Sequence, residues 1–337
     1  MNIRTILSAL VVAGLLLAGC RVFKTTDEDA GVQWDEQSSL QLKGVNEPTL
    51  SVLFSADGTR IISGWANDTT GIWNATTGEL IQKIPLRAEY LSRTTDSAII
   101  VAHDGSALRF VNYETGEVTR TITGIGTPVS YDAASGLVAS LVDEATNRVE
   151  IRNTATGALV SSFERPRLDG ETTPDLTAIA IKPGGEIVTT GFHEWVPPET
   201  WPRRSTIRIW DVMTGAALDT FNAHMMPITH LVFGANGTRL FSGPISTIWE
   251  AVVRVWDTST WEQVSATTDD SLMFVSNIAS TPDGQYIVVA RHSAIYVYDA
   301  ATGDRIEGNG PSSRTDQRNR YQPRRQTCCD WFECSRR

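Results

Sequence analysis

The stretch GIWNATTG (71–78) is the first of six copies of one short pattern. The other five are RFVNYETG (109–116), EIRNTATG (150–157), RIWDVMTG (208–215), RVWDTSTW (254–261) and YVYDAATG (296–303). The last residues of successive copies are 38, 41, 58, 46 and 42 positions apart. A repeat of about 40–45 residues that carries a Trp-Asp pair is typical of a β-propeller, in which each repeat forms one four-stranded blade. The spacing therefore predicts an all-β protein made of successive four-stranded antiparallel blades.

Two turns recur along the repeats. One places Gly after a small or acidic residue, as in Asp57-Gly58 and Asn236-Gly237, because Gly adopts positive φ without steric cost. The other is Thr-Gly, which ends five of the six copies. The runs between these turns, such as AIIVA (98–102), are too apolar for a half-exposed sheet, so they predict blades that are buried on both faces.

The repeats resemble those of the WD-repeat propeller family over about residues 32–307. The resemblance implies that strands a to d of each blade run outwards from a central channel. Repeat 1 has Ser63, Asp68 and Trp73 where the family pattern expects them, and repeat 5 has His224, Ser242 and Trp256. Repeats 2 and 3 depart from the pattern, because Val111 and Arg152 replace the Trp.

The number of blades depends on the N-terminal segment VQWDEQSSLQL (32–42), which has Trp34-Asp35 at the repeat position. It predicts the end of a c strand and a d strand, and in the WD-repeat family such an N-terminal strand commonly completes the last blade. The missing strands would have to follow residue 307, where the sequence offers none. We expect one propeller domain over 32–310 with six blades and an incomplete seventh, and a closed six-bladed ring is the alternative.

The first twenty residues predict a targeting segment. Arg4 is followed by the apolar stretch Ile6–Leu17, which is shorter than the roughly 20 residues of a membrane-spanning helix. The next motif, LAGC (17–20), resembles the bacterial lipobox, which implies removal of residues 1–19 and acylation of Cys20. Arg21 after this Cys favours the outer membrane in the same resemblance, with residues 20–31 as a polar tether. A plain secretory signal is the alternative.

Residues 311–337 differ in composition from the repeats, with seven of the 25 Arg and three of the four Cys. A basic tail that binds lipid headgroups or nucleic acid, a metal or disulfide cluster, an out-of-frame translation product and a disordered tail are all open interpretations. The spacing of Cys328, Cys329 and Cys334 does not match common zinc sites. We predict a disordered tail outside the propeller.

The whole chain carries a formal charge of −10 although this tail is basic. An acidic body repels phosphate backbones, so we expect no nucleic-acid partner. The stretch between residues 21 and 327 contains no Cys, and the propeller therefore needs no disulfides. The sequence has no phosphate-binding Gly loop and no metalloprotease or serine-hydrolase motif, and it predicts no catalytic residue, metal site or cofactor.

The b–c and d–a loops share one face of a propeller, and candidate contact residues concentrate there. Most of the His fall in these loops, and so does the one large insertion, FHEWVPPETWPRRS (192–205), which explains the 58-residue gap. Trp and Arg are enriched at interaction hot spots. The predicted partner-binding residues are Trp195, Trp201, Arg203, Arg204, Trp65, Trp249 and His224. The alternative is that the Trp rings cap a blade edge.

Two classes of function fit this sequence. The first is a non-catalytic propeller lipoprotein that acts as an interaction platform in the periplasm. It would bind a protein partner of unknown identity in the cell envelope and attach to the membrane through its lipid anchor. The second is a propeller enzyme of the lactonase, glycan-cleaving or quinoprotein type. Asp143 and Glu144 are the only adjacent acids in a b–c loop. One such pair at a solvated turn favours the first class.

Overall fold

The computed structural model describes residues 21–22, 40–42, 48–165, 175–194, 204–244, 252–267, 275–281, 284–291 and 294–308. These residues form six four-stranded antiparallel sheets and one two-stranded sheet. The predicted all-β propeller architecture is confirmed, with six blades. No helix in this part of the chain is long and apolar enough to cross a membrane.

The strands of each blade follow one another in sequence. Blade 1 contains β3 (Thr49–Phe54), β4 (Arg60–Trp65), β5 (Thr70–Asn74) and β6 (Leu80–Ile84). Blade 2 contains β7 (Tyr90–Arg93), β8 (Ile99–His103), β9 (Ala107–Asn112) and β10 (Val118–Thr123). Blade 3 contains β11 (Val129–Asp132), β12 (Leu137–Asp143), β13 (Arg148–Asn153) and β14 (Leu159–Phe163).

Blades 4 to 6 repeat this arrangement. Blade 4 contains β15 (Asp175–Ile181), β16 (Ile187–Glu194), β17 (Arg204–Asp211) and β18 (Ala217–His224). Blade 5 contains β19 (Ile228–Phe233), β20 (Arg239–Pro244), β21 (Arg254–Asp257) and β22 (Gln263–Ala266). Blade 6 contains β23 (Val275–Ser280), β24 (Tyr286–Arg291), β25 (Ala294–Asp299) and β26 (Arg305–Gly308). The two-stranded sheet pairs β1 (Arg21–Val22) with β2 (Leu40–Gln41).

The first strand of a blade is its innermost strand. The first strands of neighbouring blades contact one another: β3 with β7, β11 with β15, β15 with β19, and β19 with β23. The second, third and fourth strands then follow outwards, in the order that the family resemblance implies. Strands a to d of the sequence analysis are therefore the first to fourth strands of each blade.

The core consists of apolar layers between successive blades. Ile62 and Ile72 of blade 1 pack with Ile100 and Val111 of blade 2, and equivalent layers join each later pair of blades up to blades 5 and 6. Between blades 3 and 4, the ring of Phe163 stacks on Trp210 with centroids 4.1 Å apart. The apolar runs of the sequence are thus buried on both faces, as predicted.

A hydrogen bond from the repeat Trp to the neighbouring b strand recurs in three blades. The indole Nε1–H of Trp73 donates to Ser63 Oγ at 2.8 Å. Trp210 donates to Thr190 Oγ1, and Trp256 donates to Ser242 Oγ, both at 2.8 Å. These hydroxyls and rings are buried, so the bond satisfies a polar group that would otherwise cost free energy in the core.

Blade 3 has a different arrangement at this position. Arg152 replaces the Trp, and its guanidinium binds Glu150 through Nε at 3.0 Å and an Nη at 2.6 Å. Glu150 also binds Arg148 at 3.1 Å. Ser140 corresponds to Ser63 in register, and its buried Oγ has no hydrogen-bond partner among the described residues. Because Arg152 stands at the Trp position of this blade, Ser140 Oγ has no indole N–H to accept.

Every outer strand contains a β-bulge at the same place, opposite the repeat Trp position. The bulged residues are Ile81, Thr119, Val160, Leu218, Val264 and Ile306. Four of them are exposed aliphatic residues, with Ile81 50% and Leu218 56% exposed. A bulge interrupts the regular edge of a sheet, which hinders pairing with another chain. The bulge explains why aliphatic side chains point to solvent around the rim.

The predicted incomplete seventh blade falls on the N-terminal segment, of which Leu40–Leu42 are described. Leu42 is buried and packs with Ile61, Trp65 and Trp73 on the face of blade 1 that points away from blade 2. Phe163 takes the equivalent place on Trp210 of blade 4. Within the described residues, the N-terminus therefore adds a two-stranded fragment beside blade 1. The leader, the Trp34-Asp35 pair and the tail 311–337 lie outside the described residues.

We expect Ser63→Ala to lower the free energy of unfolding by roughly 2 kcal/mol or more, because it leaves the buried indole N–H groups of Trp65 and Trp73 without their common acceptor. Ser140→Ala is the matched control, and it should be neutral or slightly stabilising because Ser140 Oγ has no described partner. Urea unfolding followed by circular dichroism measures both variants. Equal losses of stability would contradict the role given to the Trp–Ser bond.

Candidate functional site

The candidate site is the propeller face formed by the b–c turns and the d–a connections, here called the b–c face. The turn after β4 places Asp68 at φ 58°, and the turn after β12 places Asn147 at φ 54°. Asn and Asp tolerate this left-handed conformation better than most residues. Asn147 is buried, and its Oδ1 accepts a hydrogen bond from Leu176 N at 3.3 Å. The turn of blade 3 is thereby attached to the first strand of blade 4.

Trp65 was predicted to be a contact residue of this face, and that prediction is wrong. Trp65 is the last residue of β4 and is 2% exposed. Its Nε1–H donates to Ser63 Oγ at 2.7 Å, and its ring lies 5.8 Å from that of Trp73. Gly71 leaves the space for it, because a Cβ there would overlap the Trp65 ring. The ring belongs to the core of blade 1.

His224 was also predicted to contact a partner, and it is a structural residue instead. It ends β18 and is 5% exposed. Its Nε2 lies 2.8 Å from Ser242 Oγ, the same hydroxyl that accepts the indole N–H of Trp256. His224 therefore joins the outer strand of blade 4 to the Trp–Ser pair of blade 5.

Two other His residues lie at strand ends rather than in loops. His103 ends β8 and is buried, and its Nε2–H donates to Ile125 O at 2.9 Å. His193 lies one residue before the end of β16, and its Nδ1 is 3.1 Å from Ser205 Oγ. Among the described residues, no three His, Cys, Asp or Glu side chains lie close enough together to hold a metal ion.

The large insertion begins and ends in the paired strands β16 and β17 of blade 4, which form its base. The backbones of Glu194 and Arg204 are paired in the ladder of β16 and β17, and so are those of His193 and Ser205. Phe192 is fully buried, and the guanidinium groups of Arg165 and Arg208 each lie 5.7 Å from its ring centroid. Sequence reasoning missed this base, since the pairing of 193 with 205 only follows from the strand register.

Acidic residues of the b–c face are engaged in local contacts. Arg87 binds Asp68 at 3.0 Å and Glu89 at 2.7 Å. Asp143 accepts hydrogen bonds from Ala145 N at 2.9 Å and Thr146 Oγ1 at 3.0 Å, and these bonds hold the pKa of its carboxyl below the usual value. Of the two adjacent acids, Asp143 and Glu144, Asp143 therefore stabilises its own turn.

The remaining predicted contact residues lie outside the described residues. These are Trp195, Trp201, Arg203 and Trp249. Arg204 is described as the first residue of β17, without its side chain. Met225, in the connection from blade 4 to blade 5, is 42% exposed on the described part of this face. Sequence reasoning did not single out Met225, because one Met in a short connection has no recognisable pattern.

Known proteins resemble parts of this chain. The family model "WD domain, G-beta repeat" matches residues 215–257, from the end of the fourth repeat motif to Asp257 of the fifth. "Periodic tryptophan protein 2 homolog" of Schizosaccharomyces pombe is 31% identical over 118 residues, which cover 34% of this chain and 12% of that protein. "Periodic tryptophan protein 2" of Arabidopsis thaliana is 24% identical over 132 residues, with 38% and 13% covered. The matched segments span about an eighth of these relatives.

The solved structure titled "Structure of U3-55K" shares the fold. It superposes with a TM-score of 0.61 at 14% sequence identity, over 79% of this chain and 83% of that chain. At this identity the likeness concerns the fold alone. The repeat motif, the sheet order and the recurring Trp–hydroxyl bonds define the class: the chain is a six-bladed β-propeller, and its residues 215–257 match the WD-repeat model.

The buried position of Trp65 predicts that Trp65→Ala lowers the free energy of unfolding by about 3–5 kcal/mol, the usual cost of truncating a core Trp. Met213→Ala, at a residue that is 70% exposed, should change it by less than about 0.5 kcal/mol, as exposed substitutions usually do. Chemical denaturation measures both. A Trp65→Ala variant as stable as the native protein would restore Trp65 as a surface contact residue.

Proposed function

We propose that this protein is a non-catalytic interaction platform, anchored by lipid in the bacterial outer membrane and facing the periplasm. It binds a protein partner through the b–c face, with the 192–205 insertion as the main contact. The WD-type propeller supports a scaffold role, because rigid scaffolds that carry variable loops are well suited to recognition. The acidic body argues against nucleic acid as the partner.

The observation that carries this proposal is the base of the insertion. Phe192 is buried with the guanidinium groups of Arg165 and Arg208 near its ring, and His193 is hydrogen-bonded to Ser205 across the ladder. A binding loop loses less entropy on association when its ends are already fixed. The loop sequence supplies Trp195, Trp201 and Arg203, which are residue types enriched at hot spots.

The lipid anchor follows from the leader. A basic start, a short apolar run and LAGC at 17–20 occur in the order of a lipoprotein signal. Acylation of Cys20 would keep the propeller at the membrane surface without a spanning helix. In this arrangement the b–c face is available to envelope proteins.

Cys20→Ala tests the anchor. We expect the variant to move from the membrane to the soluble periplasmic fraction, or to stay unprocessed, because no thiol is left to acylate. Cell fractionation and intact-protein mass spectrometry measure these outcomes. Unchanged membrane association with unaltered processing would contradict the proposed lipid anchor.

The insertion is tested by replacing Trp195, Trp201 and Arg203 together by Ala. A partner is first identified by affinity purification of the native protein from solubilised membranes. The triple variant should keep the strand-rich circular dichroism spectrum and lose that partner, since single hot-spot residues contribute roughly 2 kcal/mol or more to binding.

The control for this experiment replaces Met213 and Leu218, which are exposed on blade 4 away from the b–c face. The control variant should retain the partner. If the folded triple variant also retains it, the insertion is not the contact. If the triple variant fails to fold, its rings belong to the core, as those of Trp65 do.

A further inference from the structure

Blade 3 is joined to its two neighbours in different ways. On the side of blade 4, Phe163 stacks on Trp210 with ring centroids 4.1 Å apart. A hydrogen bond of 3.1 Å from Ile181 N to Ser130 Oγ links the first strands of the two blades. The bond between the b–c turn of blade 3 and the first strand of blade 4, described above, is a third link. Blades 3 and 4 therefore form one closely packed unit, and this unit carries the 192–205 insertion.

The apolar layer between blades 2 and 3 is less complete. Five buried apolar residues come from blade 2 and the connection that follows it: Val101, Leu108, Phe110, Ile122 and Ile125. Among the described residues, blade 3 adds to this layer one buried side chain, Val138, and the partly buried Val129 and Tyr131. In the layer between blades 3 and 4, each blade contributes several buried apolar residues.

The outer half of the junction between blades 2 and 3 is polar. The register of blade 3 places Arg152 opposite Val138 and Glu150 opposite Ser140, so these four side chains share the face that points to blade 2. The side chains of Arg152 and Arg148, which bind Glu150, are both partly exposed. In blades 1 and 4 an indole ring fills the same place and is at most 3% exposed.

Polar contacts across this junction do not make up for the missing ring. Arg120 of the outer strand of blade 2 is exposed, and its Nη1 donates to Thr154 O at 2.8 Å. At the inner strands, Tyr131 N lies 3.4 Å from Tyr90 Oη, which is long for a hydrogen bond. An exposed bond exchanges readily with water, and its net contribution to stability is small.

The cost of separating two blades therefore differs between the two junctions. Separation of blades 3 and 4 would expose the stacked rings of Phe163 and Trp210, which is unfavourable in proportion to the apolar area. Separation of blades 2 and 3 would instead hydrate charged side chains that are already partly exposed. It would also hydrate Ser140 Oγ, which is buried without a partner among the described residues and gains a hydrogen bond from water.

We propose that the propeller opens locally between blades 2 and 3, and that blades 3 and 4 stay together when it does. Local opening with a free energy below that of global unfolding is a general property of proteins, and it occurs where buried apolar contact is least. The opening depends neither on the lipid anchor nor on the partner contact proposed above. Because the insertion belongs to the unit of blades 3 and 4, each opening moves it relative to blades 1 and 2.

Val138 and Val149 are a matched pair for the test. Both are Val residues of blade 3 without exposed surface, and they pack towards blade 2 and blade 4, respectively. Val138→Cys and Val149→Cys are made in the full-length protein, whose own Cys residues all lie outside 21–327. The folded variants are treated with a maleimide, and peptide mass spectrometry measures the labelling of each position. We expect labelling at position 138 to be at least tenfold faster than at 149.

Equal labelling of the two positions would overturn the proposal, because global unfolding exposes both alike. Faster labelling at position 149 would overturn it as well. If Val138→Cys does not keep the strand-rich circular dichroism spectrum, Ser140→Cys takes its place, since it is nearly isosteric and lies on the same buried face. The same tenfold difference from position 149 is expected.

Arg152→Trp gives a second check of the polar junction. The new indole would fill the outer half of the junction and bring an N–H to Ser140 Oγ, as Trp73 does for Ser63 in blade 1. In the Val138→Cys background it should slow labelling at position 138 several-fold, and it should leave labelling of Val149→Cys unchanged. Unaltered labelling at 138 in a folded variant would contradict the part given to Arg152. If the Trp variant does not fold, the comparison of positions 138 and 149 decides alone.

Discussion

The bond between the repeat Trp and a hydroxyl on the b strand is the constraint on which blades 1, 4 and 5 depend. Each blade is buried on both faces, so every polar atom between blades needs a partner. The indole fills the space between two sheets and donates its one N–H to a neighbouring strand, as Trp73 does to Ser63. In blade 3 the ion pair of Glu150 and Arg152 takes the place of this bond. It leaves one polar atom unsatisfied, since Ser140 Oγ has no hydrogen-bond partner among the described residues.

A β-bulge in the outer strand is a feature that all six blades share. Each d strand would present a free sheet edge, and the bulge opposite the Trp position interrupts that edge in all six blades. In blade 4 the carboxylate of Asp219 also accepts the N–H of Thr220 at 2.7 Å. The exposed aliphatic residues at the bulges follow from this geometry, and their exposure alone is no sign of a partner.

The repeat pattern was sufficient to predict the architecture, because turn chemistry and strand length act locally and recur at fixed spacing. The candidate contact residues were harder to predict. A Trp near a b–c turn has the same sequence context whether its ring points outwards or, as with Trp65, into a space left by Gly71 two strand positions away from the repeat Trp. His224 likewise depends on Ser242, a residue of the next blade. Such pairs are set by register and by blade order, which a single sequence does not reveal.

The insertion differs from Trp65 in one physical respect. The turn after β4 has four residues, 66–69, before β5 begins, and the ring of Trp65 sits on the strand that precedes it. The loop between Glu194 and Arg204 has nine residues, 195–203, and its ends are paired in one ladder. No blade position is vacant at its base, because Phe192 and Ile207 already fill the core there with no exposed surface. The loop of blade 4 is therefore five residues longer than the turn after β4, and its length is not needed to fill the core at its base, which is why we propose blade 4 as the place of partner contact.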